Sequence, residues 1–156
     1  MSHFLLQIIS ISLTLQLACS VHNINDYNAV ASEDSWAAAT RNAHALSTAF
    51  LAANASQLDR TVWIPPHEIF YFKNLTVTGL VDVTLIVDGT LKLNNDLVQW
   101  ERAVDGKKEE ALYFTNSEGI HITGSGTIDG QGLEWWRLAY LGVDYRPHFI
   151  EFYQGI

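Results

Sequence analysis

Cysteine is almost absent from this chain, and so is any run of basic side chains. Cys19 is the single cysteine in 156 residues, so neither an internal disulfide framework nor a thiolate metal site can be built from it. Lysine and arginine number 9 against 17 acidic residues, a formal charge of −8. With no basic stripe to neutralise phosphates, nucleic acid is not an expected partner, and neither is an anionic membrane surface. HExxH, a phosphate-cradling glycine loop and a serine nucleophile elbow are missing too. His3, His22, His44, His67, His121 and His148 show no metal-ligand spacing, so no metal site and no cofactor are expected. Gly124-Ser125-Gly126 leads into turns and a short strand rather than a long helix, which argues against a dinucleotide site.

Charged side chains are also missing before Asp26. Phe4 to Leu17 is an apolar run interrupted only by Gln, Ser and Thr. Ala18 and Ser20 place small residues at −3 and −1 of a cleavage after Ser20. The run is too short and too interrupted for a membrane span. Residues 1–20 are therefore expected to be a cleaved secretory signal, with a signal anchor or a buried N-terminal element as the alternatives. The product would be secreted, extracellular or cell-wall located, without stable membrane insertion. Secretion would make acceptors of two sequons, Asn54-Ala55-Ser56 and Asn74-Leu75-Thr76, so Asn54 and Asn74 are the candidate glycosylation sites.

What the chain does contain is a rhythm of short strands, clearest from Leu80 to Gly132. Val83, Leu85 and Val87 alternate with Thr84 and Ile86, and Ile120 and Ile122 alternate with His121 and Thr123. Each run leads into a Gly-Thr-aliphatic triplet, Gly89-Thr90-Leu91 and Gly126-Thr127-Ile128. Short β-branched runs punctuated by Gly, Asn and Asp suit a coil that turns every few residues and stacks on itself. A right-handed parallel β-helix is the first reading. Periodicity alone leaves a sandwich, a barrel or another α/β arrangement open.

Upstream, Val21 to Val30 reads as a short strand running into a turn. Ser35 to Ala53 is the one convincing helix: Trp36, Ala39, Ala43, Leu46, Phe50 and Ala53 recur at spacings of three and four. Ser32 and Asp34 are its candidate N-caps. Its apolar face is expected to cover the first rung, whose interior side chains and backbone edge need a lid. Thr61–Ile64, ended by Pro65-Pro66, then Ile69–Phe72, Asn74–Gly79 and Val83–Asn94 read as further strands. Lys92 to Glu110 is charged and reads as a solvated surface excursion. Asp88 and Asp129, both followed by Gly, read as turn formers that bind nearby backbone N–H groups rather than as an acid/base pair. Trp135 and Trp136 read as aromatics buried beneath a loop, with stacking on a sugar ring as the alternative. A strand pattern restarts at Arg146–Phe152, and the sequence reads as interrupted there.

Five stretches in order resemble the polygalacturonase-like enzymes of glycoside hydrolase family 28, in the pectinase superfamily. Asn25-Asp26-Tyr27-Asn28-Ala29-Val30 resembles the family's DYGAVGDG stretch before a helix. Thr61-Val62-Trp63-Ile64-Pro65-Pro66 is similar to the strand and Pro-Pro-Gly segment after that helix. Asp88-Gly89-Thr90-Leu91 resembles an early DGTL rung. Gly124-Ser125-Gly126-Thr127-Ile128-Asp129-Gly130-Gln131-Gly132, followed by Trp135-Trp136, is the sharpest match. Arg146-Pro147-His148-Phe149-Ile150-Glu151-Phe152 resembles the RPxxIxF strand that precedes the catalytic rungs. Departures are Asn28 for glycine, Ala31-Ser32-Glu33 for a Gly-Asp-Gly turn, and His67 where glycine follows the prolines.

The resemblance implies a pectin-lyase-like, single-stranded parallel β-helix, with 21–156 as a cap and first rungs of an incomplete glycosidase domain. It also implies inverting, metal-free hydrolysis of α-1,4 galacturonosyl bonds in pectin by a protein that is monomeric when complete. The family's catalytic motifs, Asn-Thr-Asp, Asp-Asp, Gly-His-Gly and Arg-Ile-Lys, do not occur. No catalytic or substrate-binding residue therefore maps onto this chain, and the chain alone is expected to be inactive. A non-catalytic glycan-binding or structural β-helix is the alternative, and the exact glycan is open.

Overall fold

The computed structural model describes residues 21–100, 109–142 and 146–154. The expected signal segment, and with it the cleavage site, lies outside the described residues. Strands are numbered in chain order. The first sheet runs β1 (His22–Asn23), β2 (Thr61–Ile64), β5 (Thr84–Val87), β8 (His121–Thr123). The second runs β3 (Ile69–Phe72), β6 (Thr90–Leu93), β9 (Thr127–Asp129), and the third β4 (Leu75–Thr78), β7 (Leu112–Thr115), β10 (Ile150–Tyr153). Every pairing in them is parallel. From β2 onward the chain visits the three sheets in rotation, so each triplet of strands forms one rung. This arrangement is consistent with a parallel β-helix.

Alternation in the sequence is what positions the rungs. Val62 and Ile64, Phe70 and Phe72, Leu75 and Val77 are buried, and one rung on so are Leu85 and Val87, Leu91 and Leu93, Leu112 and Phe114. Register stacks these into interior columns, such as Val62–Leu85–Ile122, Phe70–Leu91–Ile128 and Val77–Phe114–Phe152. Burying each such side chain stabilises by about 1.5–3 kcal/mol, and a one-residue slip would turn every column outward.

The lid at the lower end is α1, Trp36–Ala55. It packs against β1, β2, β3 and β4, as expected of a helix that closes the first rung. Ala39, Ala43, Leu46, Phe50 and Ala53 are buried as the spacing predicts, while Trp36 is half-buried. Ala38, Asn42, Ala45 and Ala49 are buried too, so α1 sinks a broad alanine surface rather than a single stripe. Its N-cap is Ser35, whose Oγ accepts the Ala38 N–H at 3.0 Å. Neither expected cap serves. Ser32 lies at φ 60 and donates its N–H to the Ile69 carbonyl at 2.7 Å, and the Asp34 carboxylate accepts from Asn94 at 3.3 Å.

Two further expectations change. A second helix, α2 (Gly132–Tyr140), follows β9. It escaped the periodicity test because Trp135 is its one buried residue and its N-cap, Gln131, makes no side-chain capping bond. The excursion after β6 is not wholly solvated either. Asn94 and Trp100 are buried, and the Trp100 indole N–H donates to the Glu109 carbonyl at 2.8 Å. Trp100 meets Trp36 and Trp135 edge-on, with centroids 6.1 Å and 5.2 Å away, tying the excursion to both helices. Among the described residues no helix is long and apolar enough to cross a membrane.

Candidate functional site

The two aspartates in matching Asp-Gly dipeptides occupy different places. Thr127 pairs over Thr90 and Asp129 over Lys92, so the residue above Asp88 is Ser125. Asp88 Oδ2 accepts the Trp63 indole N–H, and Oδ1 accepts both the backbone N–H and the hydroxyl of Ser125, each at 3.0 Å. These donors, the Trp63 indole first, hold its carboxyl below the usual range. Asp88 is thus a staple between rungs rather than the former of its own turn. Asp129 behaves as expected: its Oδ1 accepts the Gln131 N–H at 2.8 Å. Its Oδ2 stands 3.8 Å from Lys92 Nζ, which lies over the Tyr71 ring. Both carboxylates are engaged by donors of the scaffold.

A cleft of about 850 Å³ opens between α2 and the entry to β10. Gly130, Trp135, Trp136, Arg146, His148 and Phe149 are among the residues that line it. The two tryptophans differ in exposure. Trp135 is buried, whereas Trp136 is 62% exposed and carries the Arg146 guanidinium 3.8 Å above its ring. The guanidinium thus covers one face of an otherwise exposed indole in a cation–π contact.

At the rim of this cleft three side chains converge that sequence reading did not connect. His148 Nδ1 lies 2.5 Å from a Glu151 oxygen and 3.6 Å from a Glu110 oxygen. The His148 backbone N–H also donates to Glu110. Burial pushes the Glu110 carboxyl up, and the like charges of Glu151 and Glu109 add to this against the contrary pull of His148. Glu110 and His148 stand 38 positions apart, one rung step. That period was the available signal, and it becomes readable only once the register is known. Donor atoms of the three lie within 4.8 Å of one another. Inverting glycosidases hold their carboxylates about 6.5–9.5 Å apart to admit a water, so this cluster does not have that geometry.

The two sequon asparagines sit on the scaffold away from the cleft-lining residues. Asn54 lies in the last turn of α1, where its Nδ2 donates to the Gly79 carbonyl at 3.2 Å and its Oδ1 accepts the Val81 N–H at 2.9 Å. Asn74 is half-buried at the corner before β4.

No family model and no solved structure matches the chain. Curated proteins do. The chain is 28% identical over 123 residues to a polygalacturonase of Chamaecyparis obtusa, covering 76% of this chain and 21% of that protein. It is 34% identical over 67 residues to a probable exopolygalacturonase B of Neosartorya fischeri, covering 41% of this chain and 15% of the relative. With a probable polygalacturonase of Arabidopsis thaliana it shares 26% identity over 99 residues, 62% of this chain and 22% of the relative. The chain thus spans less than a quarter of the length of these relatives, and what it shares with them is a polygalacturonase-like sequence at low identity.

Proposed function

We propose that the chain supplies the cap and first rungs of a polygalacturonase-type glycoside hydrolase built on a right-handed parallel β-helix. The complete enzyme would cleave α-1,4 galacturonosyl bonds of pectin with inversion, one carboxylic acid protonating the leaving oxygen while a second activates water on the opposite face. The carrying observation is the similarity to polygalacturonases along a chain whose strands rotate through three parallel sheets. The acid and base belong to rungs beyond β10, since Asp88 and Asp129 are held by scaffold donors and Glu110 and Glu151 crowd one imidazole. A secreted product glycosylated at Asn54 or Asn74, acting on pectic polysaccharide outside the cell, completes this reading.

Reducing-sugar release from polygalacturonate is the test. The 156-residue chain should release none. Release that disappears on changing Asp88 and Asp129 to Asn would show that these aspartates are catalytic after all. The product of the whole transcript should release galacturonate, with the inverted anomer seen by NMR. The second reading, a glycan-binding β-helix without catalysis, draws on Trp136 and Arg146 at the cleft. It would be favoured by a whole product that binds oligogalacturonate, loses binding in Trp136→Ala, and cleaves nothing.

A further inference from the structure

We propose that Glu110, His148 and Glu151 form a divalent-cation site of the zinc class that fastens the outermost strand, β10, to β7. Among the described residues this is the one group of three potential ligands whose donor atoms converge within 4.8 Å. One imidazole nitrogen and two carboxylate oxygens make a mixed set that suits zinc better than magnesium or calcium, which prefer all-oxygen shells.

Zinc bonds of about 2.0–2.2 Å in a tetrahedron put neighbouring donors about 3.3–3.6 Å apart. The His148 Nδ1 to Glu110 separation, 3.6 Å, is already there. The His148 to Glu151 contact, at 2.5 Å, must open by about 1 Å, the difference between a hydrogen bond and two ligands sharing an ion. The movement falls to the His148 side chain, which is 73% exposed against 30% for Glu151 and 24% for Glu110. The same exposure leaves water free to take a fourth position. Two carboxylates set against one imidazole, on a chain of formal charge −8, attract a divalent cation.

The ligands come from two rungs. Glu110 stands just ahead of β7, His148 just ahead of β10, and Glu151 within β10 over Tyr113 of β7. An ion held by all three would cross-link the last described rung to the one below it. That role is structural, independent of the catalytic reading, and tested without any glycan.

Isothermal titration of the purified chain with Zn2+ should show one site that weakens at least about tenfold in His148→Ala and in Glu151→Gln, a loss of the size seen when metal shells are disturbed. His44→Ala, exposed on α1, should leave it unchanged. Hydrogen exchange of the unaltered chain should show β10 amides slowed by Zn2+, a readout that needs no variant to fold. Absence of zinc binding, binding undiminished in His148→Ala, or β10 exchange indifferent to zinc would each overturn the proposal.

Discussion

Gly126 lies directly over Gly89, with the Gly89 carbonyl oxygen where a β-carbon on Gly126 would have to sit. Beneath, the same position on Gly89 is taken by the carbonyls of Pro65 and Glu68. The repeated Gly-Thr-aliphatic triplet is therefore a packing requirement: successive rungs touch backbone to backbone at the corner between the first and second sheets, and only a residue without Cβ lets them close. Gly126→Ala and Gly89→Ala should each destabilise by about 1–3 kcal/mol, the usual cost of forcing backbone apart in a packed interior. Gly132→Ala is the contrast, since its β-carbon would meet nothing nearer than Trp136 at 3.7 Å and it opens α2. That change should be neutral or stabilise by up to about 1 kcal/mol. Urea midpoints of the three variants decide the matter.

Asn42 is the polar side chain on which the lid depends. It is fully buried, accepts the Val30 N–H at 2.7 Å, and donates to the carbonyls of Val30 at 2.9 Å and Tyr71 at 2.7 Å. One amide thus joins the N-terminal segment, α1 and β3. Asn42→Leu leaves three backbone groups without those bonds, and each unsatisfied buried group costs about 1–3 kcal/mol. The chain should lose several degrees of thermal midpoint, and exchange at the Val30 amide should rise from protected to fast. An unchanged Val30 rate would contradict this account.

The strands were legible because inward and outward residues alternate without a slip, and the lid because alanine, leucine and phenylalanine recur at helical spacing. The side-chain partners that escaped share one cause. Side-chain partners such as Asp88 with Ser125, 37 positions apart, and Glu110 with His148, 38 apart, meet through register alone. Residue spacing along one strand says nothing about them. The helix α2 escaped because its outward residues, Leu133, Trp136 and Tyr140, are apolar and blur the stripe. Ser35 escaped as a cap because Ser32 and Asp34, both just ahead of it in the sequence, carry the same capping chemistry. Asp88-Gly89-Thr90-Leu91 leads into β6, as its resemblance to a DGTL rung implies, whereas the role of the aspartate as a cross-rung acceptor depends on Ser125 in the next turn of the chain.

Asp88 makes the stability of the stack depend on pH. Its carboxyl is held below the usual range by the Trp63 indole and by Ser125, so the folded chain binds that proton less tightly than the unfolded chain. Stability from this group is present above the unfolded value of about 3.9 and lost as pH falls through the lower folded one. Asp88→Asn should be less stable than the unaltered chain at neutral pH, and the gap should close below about pH 4. Denaturant midpoints measured at both ends of that window are the check, and a gap that persists undiminished in acid would contradict the assignment.

The upper end of the stack carries the last prediction. Among the described residues β8, β9 and β10 each pair on one side only. Within these strands Ile122, Ile128 and Ile150 are half-buried and Phe152 is 57% exposed, although they continue interior columns. The contact of Phe114 with Phe152, stacked at 5.1 Å, shows how a further residue would extend one column. An edge of this kind offers unpaired backbone groups beside apolar side chains, the combination that recruits other strands. The 156-residue chain should therefore associate with rising concentration, and sedimentation velocity should resolve oligomers. Phe152→Lys places a charge over the open column and should shift the population to monomer without loss of helical or strand signal, because the side chain is already half in solvent. A chain that stays monomeric at high concentration, or a variant that associates as readily as the original, would show that this edge is covered by other means. Addition of Zn2+ separates the edge from the cluster at Glu110, since fastening β10 to β7 leaves the upper side of β10 unpaired and should not suppress association.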